Sequence, residues 1–138
     1  MKEIDASIAG FGMPMGPFTL TDLVGLDVAE KVSEILHESY GPRMTPAPLL
    51  SEMVRAGRLG TKSGKGFYNY QGDEDKEIGP LIQKIQQQTK VKGTPFSVHR
   101  ILLPMVNEAV ICLQEGVASA ADIDMAMLAG TGFPQDKG

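Results

Sequence analysis

The sequence predicts an all-α fold, and three observations support this prediction. Apolar residues recur every three or four positions along most of the 138-residue chain, as they do in helices that bury one face. Glycine or proline separates these segments, at the points where helices would begin and end. The alternation of apolar and polar residues that marks a half-buried strand is lacking, and residues 67–70 are the only plausible extended segment.

Four helices are predicted in the first part of the chain. Residues 2–9 form the end of a helix, and residues 17–24 form a short second helix that begins with a proline. Asp27 is predicted to cap the third helix, which continues to residue 40, and the fourth helix occupies residues 48–56. The third helix carries an apolar stripe at helical spacing: Val28, Val32, Ile35, Leu36 and Tyr40.

The middle of the chain is less regular. A glycine-rich run, Gly60–Gly66, leads into the aromatic residues 67–70. Residues 71–76 are polar and charged, which predicts a surface linker. A fifth helix is predicted to begin near Ile78 and to fade by Gly93.

The strongest helical pattern runs from Phe96 to Glu115. Pro104 lies inside it, removes one helix hydrogen bond and is expected to kink the helix. Ser119 and Asp122 have the spacing of a capping box, which predicts the start of a last helix.

Composition narrows the functional classes. Thirteen Lys and Arg against seventeen Asp and Glu give a net charge of −4, so the chain has no electrostatic basis for binding nucleic acid or an anionic membrane. One cysteine and two histidines exclude a disulfide framework and leave little for a metal site. The apolar runs are too short to span a bilayer, and no secretory signal is visible. A reducing, aqueous compartment, the cytoplasm, is therefore predicted.

The glycine-rich run lacks the spacing of a nucleotide-binding loop. Gly60 and Gly64 enclose three residues rather than four, and Gly66 stands where a phosphate-binding loop needs Ser or Thr. Four cations lie in or before this run: Arg55, Arg58, Lys62 and Lys65. They leave two interpretations open, a site for a phosphate-bearing ligand and a solvated loop. No catalytic, cofactor-binding or metal-ligating set is predicted in this chain.

A short, ordered repeat links the two ends of the chain. Ile4–Ala9 matches Ile123–Leu128, and Gly12–Pro14 matches Gly132–Pro134. The offset between the copies is 119 residues over the first match and 120 over the second, so the later copy contains one additional residue.

The two copies are cut at opposite ends. The early copy continues beyond the match but has almost nothing before it, whereas the late copy is preceded by a long helix and stops soon after it. Residues 1–70 are therefore predicted to be most of a first copy that lacks its first long helix. Residues 71–93 are predicted to be a linker and helix, and residues 94–138 the first half of a second copy. A chain divided in this way is expected to be part of a longer protein.

Two patterns in the sequence have the order and spacing of a known family. The first comprises Gly12–Phe18, Asp22–Asp27 and Leu59–Tyr70, and the second comprises His99–Ala109 and Ala121–Met127. They resemble the later part and the opening part of the C-terminal helical domain of 3-hydroxyacyl-CoA dehydrogenases. The resemblance implies the all-α, 6-phosphogluconate-dehydrogenase-C-like fold of that domain, in tandem copies as in fused β-oxidation enzymes.

The resemblance also implies a reaction and a division of labour. The family oxidises (S)-3-hydroxyacyl-CoA to 3-oxoacyl-CoA with NAD, using a histidine base oriented by a carboxylate. Those residues lie in a separate NAD-binding domain, so no catalytic residue and no NAD contact is assigned here. His99-Arg100 stands where the family has an Asn-Arg pair, and His99 is given no role. Four residues match the family segment that faces the substrate cleft: Met15, Gly16, Pro17 and Phe18.

The implied partners are the NAD-binding domain of the same parent chain and an acyl-CoA substrate. Packing between the copies would mimic the dimer of single-copy enzymes, and exposed apolar faces predict self-association. The chain alone is expected to be inactive. Two alternatives stay open: a stand-alone, non-catalytic helical interaction module, and, within the family, a 3-hydroxybutyryl-CoA dehydrogenase.

Overall fold

The computed structural model describes residues 1–72, 74–89 and 93–137, and these residues contain seven α-helices and no strand. The all-α prediction is therefore confirmed. The helices are α1 (Lys2–Phe11), α2 (Pro17–Val24), α3 (Leu26–Tyr40), α4 (Pro48–Arg55), α5 (Ile78–Thr89), α6 (His99–Gln114) and α7 (Ala120–Ala126). Short 3₁₀ turns occur at Gly41–Met44, Thr61–Ser63 and Gln135–Lys137, and a π-helical turn occurs at Met127–Thr131.

Parts of two predicted segments lie outside the described residues. Asp73 belongs to the predicted linker, and residues 90–92 belong to the predicted end of the fifth helix. Residues 67–70, predicted as extended, form no strand in the part of the chain that is described. The region contains instead two isolated antiparallel bridges, Gly60 with Lys65 and Lys65 with Asn69.

The chain divides into two compact units. The central unit is Phe18–Gly93, and the terminal unit combines Met1–Pro17 with Thr94–Gly138. This division follows spatial contacts rather than sequence repetition, so the predicted boundaries of the two copies stay a prediction.

In the central unit, α3 packs against α4, and α4 packs against α5. Its apolar core contains the fully buried Leu26 and Met53, with Phe67 and Ile85 nearly as buried. Complete burial of one such side chain stabilises the fold by about 1.5–3 kcal/mol. The predicted apolar stripe of α3 is not part of this core, because its residues are 36–50% exposed.

The predicted cap of α3 is wrong. The helix begins at Leu26, with Gly25 as its N-cap and no side-chain cap hydrogen bond. Asp27 lies inside the first turn, where its carboxylate pairs with Lys62 and accepts a hydrogen bond from the N–H of Val28 at 2.9 Å. The carboxylate of Asp27, which was predicted to cap α3, thus forms an ion pair with Lys62 of the glycine-rich loop instead.

In the terminal unit, α6 packs against α7, and Ile8 and Leu102 are the buried apolar side chains. Pro104 lies inside α6 as the sequence indicates. The predicted capping box is confirmed, because the Ser119 hydroxyl accepts from the N–H of Asp122 and the Asp122 carboxylate accepts from the N–H of Ser119, both at 3.3 Å. Within the described residues, no helix has the length and apolar character needed to cross a membrane.

Candidate functional site

The glycine-rich loop is organised around a buried carboxylate that the sequence did not single out. Asp22, on α2, is completely buried. Its two carboxylate oxygens accept hydrogen bonds from the backbone N–H groups of Phe67 at 2.7 Å and Tyr68 at 2.9 Å, and from the hydroxyl of Tyr70 at 2.9 Å. Three donors offset the cost of burying this charge, because hydrogen bonds to an ionised acceptor are strong.

Glycine is required where the loop approaches Asp22. A Cβ at Gly66 would overlap the Asp22 carboxylate, and a Cβ at Gly60 would overlap the Asp22 carbonyl. The hydroxyl of Ser63 holds the turn between these glycines, donating to the carbonyl of Lys65 at 2.8 Å and accepting from the N–H of Leu59 at 2.9 Å. The glycine pattern therefore serves close packing of the loop on α2.

A second buried charge fastens the segment C-terminal to the loop. The Arg58 side chain is 4% exposed and forms an ion pair with Asp75, and its Nε donates to the carbonyl of Gly66 at 2.9 Å. Burial acts to raise the pKa of the Asp75 carboxyl. The hydrogen bonds from Arg58 and from the N–H groups of Glu77 and Ile78 outweigh burial, so this pKa lies below its ordinary value. This part of the predicted surface linker is thus fixed to the central unit.

Each of the four cations in this region is paired with a carboxylate. Besides Arg58 with Asp75, the pairs are Arg55 with Glu52 at 2.6 Å, Lys62 with Asp27, and Lys65 with Glu77 at 3.3 Å. The hydrogen bond from Lys62 lowers the pKa of Asp27. These carboxylates neutralise the cations locally. For Arg55, Lys62 and Lys65, the geometry therefore favours a solvated loop over a site for a phosphate-bearing ligand. Neither interpretation anticipated the burial of Arg58.

The four predicted cleft residues are in part structural. Gly16 is buried against Asp5 of α1, whose backbone and side chain leave no room for a Cβ. Met15 and Pro17 are half-buried in the terminal unit. In the central unit, the ring of Phe18 meets the ring of Phe67 edge-on, with centroids 4.8 Å apart. Their role in a substrate cleft stays a prediction.

An apolar groove runs along α6 and α7 in the terminal unit. It has a volume of about 540 Å³, and Met105, Ala109, Cys112, Ile123 and Met127 contribute to its lining. Cys112 is half-buried there. In the described part of the chain, no group of three His, Cys, Asp or Glu side chains is placed to hold a metal ion.

Sequence reasoning missed Asp22, Arg58 and Asp75 as organising residues. One signal was present for Asp22, which is the only charged residue in the otherwise apolar and hydroxyl-bearing α2. Nothing local distinguishes Arg58 from the other cations, because its partner lies 17 residues later in a polar stretch.

Known proteins are similar to this chain in sequence. The profile of the family described as 3-hydroxyacyl-CoA dehydrogenase, C-terminal domain, matches residues 1–70 and 96–136. The chain is 41% identical over 138 residues to the fatty acid oxidation complex subunit alpha of Vibrio cholerae serotype O1, and 37% identical over 142 residues to that of Shewanella frigidimarina. These alignments include 97% of this chain but 19% and 20% of the relatives, so the chain spans about a fifth of their length.

Solved structures share its fold. The structure of 3-hydroxybutyryl-CoA dehydrogenase from Escherichia coli K12 matches with a TM-score of 0.76 and 26% identity, over 95% of this chain and 45% of that chain. The dehydrogenase part of multifunctional enzyme 1 from C. elegans matches with a TM-score of 0.64 and 32% identity, over 89% of this chain and 29% of that chain. Since the family profile also matches most of the residues, the chain belongs to the 3-hydroxyacyl-CoA dehydrogenase C-terminal domain family.

Proposed function

We propose that this chain is the tandem helical part of an NAD-dependent enzyme that oxidises (S)-3-hydroxyacyl-CoA to 3-oxoacyl-CoA in fatty acid β-oxidation. The observation that carries the proposal is the family match on both sides of residues 71–95, in a chain whose relatives are alpha subunits of fatty acid oxidation complexes. Because the chain corresponds to about a fifth of those relatives, the catalytic residues are assigned to other parts of the parent enzyme.

The glycine-rich loop of this chain does not fit a dinucleotide. A phosphate-binding loop presents free backbone N–H groups to the ligand. Here the N–H groups of Phe67 and Tyr68 donate to the carboxylate of Asp22, and that carboxylate would repel a phosphate. NAD is therefore assigned to an NAD-binding domain of the parent chain, and this chain alone is expected to be inactive.

The contribution of this chain is packing and substrate enclosure. Met15, Gly16, Pro17 and Phe18 are proposed to form one wall of the acyl-CoA cleft. The flexible thioether of Met15 suits contact with an acyl chain, and the close packing of Gly16 on Asp5 would hold the wall in place. The chain is also proposed to act in the cytoplasm and to self-associate through its exposed apolar faces.

A graft tests the proposal. The aligned segment of the Vibrio cholerae alpha subunit is replaced by this chain, and NAD-dependent oxidation of short- and long-chain 3-hydroxyacyl-CoA is followed by NADH absorbance. The graft is expected to retain activity, whereas the chain alone shows none. A folded but inactive graft would favour the stand-alone interaction module instead. Oxidation by the chain alone at an enzyme-like rate would overturn the residue assignments.

The cleft assignment has its own test in the active graft. Met15→Ala is expected to raise KM for the acyl-CoA several-fold with little change in kcat, because it removes binding common to the ground and transition states. Met125→Ala is the matched control, since that methionine is 65% exposed on α7. Equal kinetics for the two variants would remove Met15 from the cleft.

A further inference from the structure

The two copies of the proline turn contact each other reciprocally in the terminal unit. Turn 1 is Gly12–Pro14 and turn 2 is Gly132–Pro134. A Cβ on Gly12 would lie 2.7 Å from Cγ of Pro134, and a Cβ on Gly132 would lie 2.5 Å from Cγ of Pro14. Each glycine thus receives the proline of the other copy. This is the exchange expected of a self-complementary interface related by a two-fold axis.

Both glycines end their helices in the same way. Gly12 has φ 119° and Gly132 has φ 66°, so both lie in the left-handed region that favours glycine. In the first copy, the N–H of Met13 donates to the carbonyl of Ile8 at 3.3 Å. In the second copy, the N–H of Phe133 donates to the carbonyl of Met127, also at 3.3 Å.

These two hydrogen bonds join equivalent residues of the two copies, but they enclose segments of different length. Ile8 corresponds to Met127 and Met13 to Phe133, but the second copy has one more residue between them. The extra residue falls in the π-helical turn at Met127–Thr131, whereas α1 is α-helical throughout. A π-turn accommodates one additional residue within a helix.

We propose that the glycine–proline turn is the self-recognition element of this repeat, and that the π-turn keeps turn 2 in register for it. The partner of each turn is the other copy of the same turn. An edge-on contact between the rings of Phe11 and Phe133, with centroids 5.7 Å apart, lies beside the pair. The inference rests on the tandem-copy part of the proposed function and not on its chemistry. Its failure in stability measurements would leave the dehydrogenase assignment unchanged.

A single-residue deletion tests the register. Without Ala129, the second copy would align with the first from Ile123 to Pro134 with no gap, and the π-turn is expected to become α-helical. The melting temperature of this variant should stay within about 3 °C of the parent. Deletion of Ala9 from α1, the matched control, rotates the later residues by one helical step and should lower it by roughly 10 °C. Equal loss from the two deletions would overturn the register role.

Reciprocal rescue tests the pairing. Gly12→Ala and Gly132→Ala should each lower the melting temperature by roughly 5–10 °C, through backbone strain and the clash. Pro14→Ala should recover part of the loss caused by Gly132→Ala and none of that caused by Gly12→Ala, and Pro134→Ala should do the reverse. For each glycine variant, the backbone strain is the same whichever proline is replaced. The difference between the two proline variants therefore measures the contact alone.

Two further glycines serve as controls for the rescue. Gly10 and Gly130 face open space and lack positive φ, so Gly10→Ala and Gly130→Ala should not destabilise the chain. Rescue that is absent, or equal from both prolines, would show that the turns do not recognise each other and would overturn the proposal.

Discussion

The carboxylate of Asp22 is buried beside a backbone turn. The stability of the folded chain therefore depends on the hydrogen-bond donors that surround this carboxylate. Asp22→Asn keeps the volume but turns an NH₂ group toward one or more of those donors. We expect the free energy of unfolding, measured by urea denaturation, to fall by about 3 kcal/mol. Asp124→Asn makes the same chemical change at an exposed position and should change it by less than about 0.5 kcal/mol. A similar small loss for Asp22→Asn would show that the carboxylate does not hold the loop.

The ion pair of Arg58 with Asp75 predicts a pH dependence. Because the pKa of Asp75 is lowered on folding, the stabilisation it provides is present above the ordinary carboxyl value of 3.8 and is lost as pH falls through the folded value. At neutral pH, Asp75→Asn should cost about 3 kcal/mol, since it leaves a buried guanidinium without its main partner. The difference between parent and variant should shrink as pH is lowered from 6 to 3.

The measurement for this pair is a series of urea unfolding midpoints across that pH range. Glu115→Gln is the control, because it replaces a carboxylate by an amide at an exposed position and should change the free energy of unfolding by less than about 0.5 kcal/mol. A constant difference between parent and Asp75→Asn at all pH values would mean that the carboxylate contributes through shape rather than charge.

The capping box of α7 stabilises the start of that helix through hydrogen bonds between neighbouring residues. The hydrogen bonds from the hydroxyl and N–H of Ser119 lower the pKa of the Asp122 carboxyl. Ser119→Ala removes the cap and should reduce the free energy of unfolding by about 1 kcal/mol. Ser7→Ala makes the same change inside α1, where alanine is the better helix former, and should be neutral or slightly stabilising. Losses of equal size would contradict a specific role for the cap.

Helix ends were predictable where one residue carries the signal. The Ser119 box lies where the sequence predicts it, because a hydroxyl cap acts within a few residues. The first helix was predicted over residues 2–9, but it continues to Phe11, where the left-handed Gly12 caps it. The start of α3 was not predictable from local sequence, since the carboxylate of Asp27 is bonded to Lys62, 35 residues away. The pair of Arg58 with Asp75 is also long-range, so the polar segment around Asp75 indicated only a linker. Local pattern contains no information about which distant charge a side chain will meet.

The one-residue gap in the repeat shows a further limit of sequence reasoning. Alignment of the two copies reveals that one residue is additional, but it does not say whether a loop, a bulge or a helical turn accommodates it. In the structure a π-helical turn accommodates it, and the N–H of Phe133 still donates to the carbonyl of Met127.

Two apolar stripes lie on the surface of the chain. On α3, Val28, Val32 and Ile35 are 45–50% exposed, and on α6 Leu103, Val106, Val110 and Leu113 are 46–60% exposed. Their spacing is that of helix faces that normally pack against another element. A pair of such stripes on so small a chain is unfavourable in water, so association that covers them is expected.

Light scattering coupled to size exclusion should therefore give a mass above 14.8 kDa that rises with protein concentration. Val32→Lys and Val110→Lys place a charge in each stripe and should shift the mass toward the monomer, because burying an unpaired ammonium costs several kcal/mol. Gln87→Lys adds the same charge at an exposed position of α5 and should leave association unchanged. A 14.8 kDa monomer at the highest concentration would contradict self-association, while loss of association in only one of the two stripe variants would identify the helix that forms the contact.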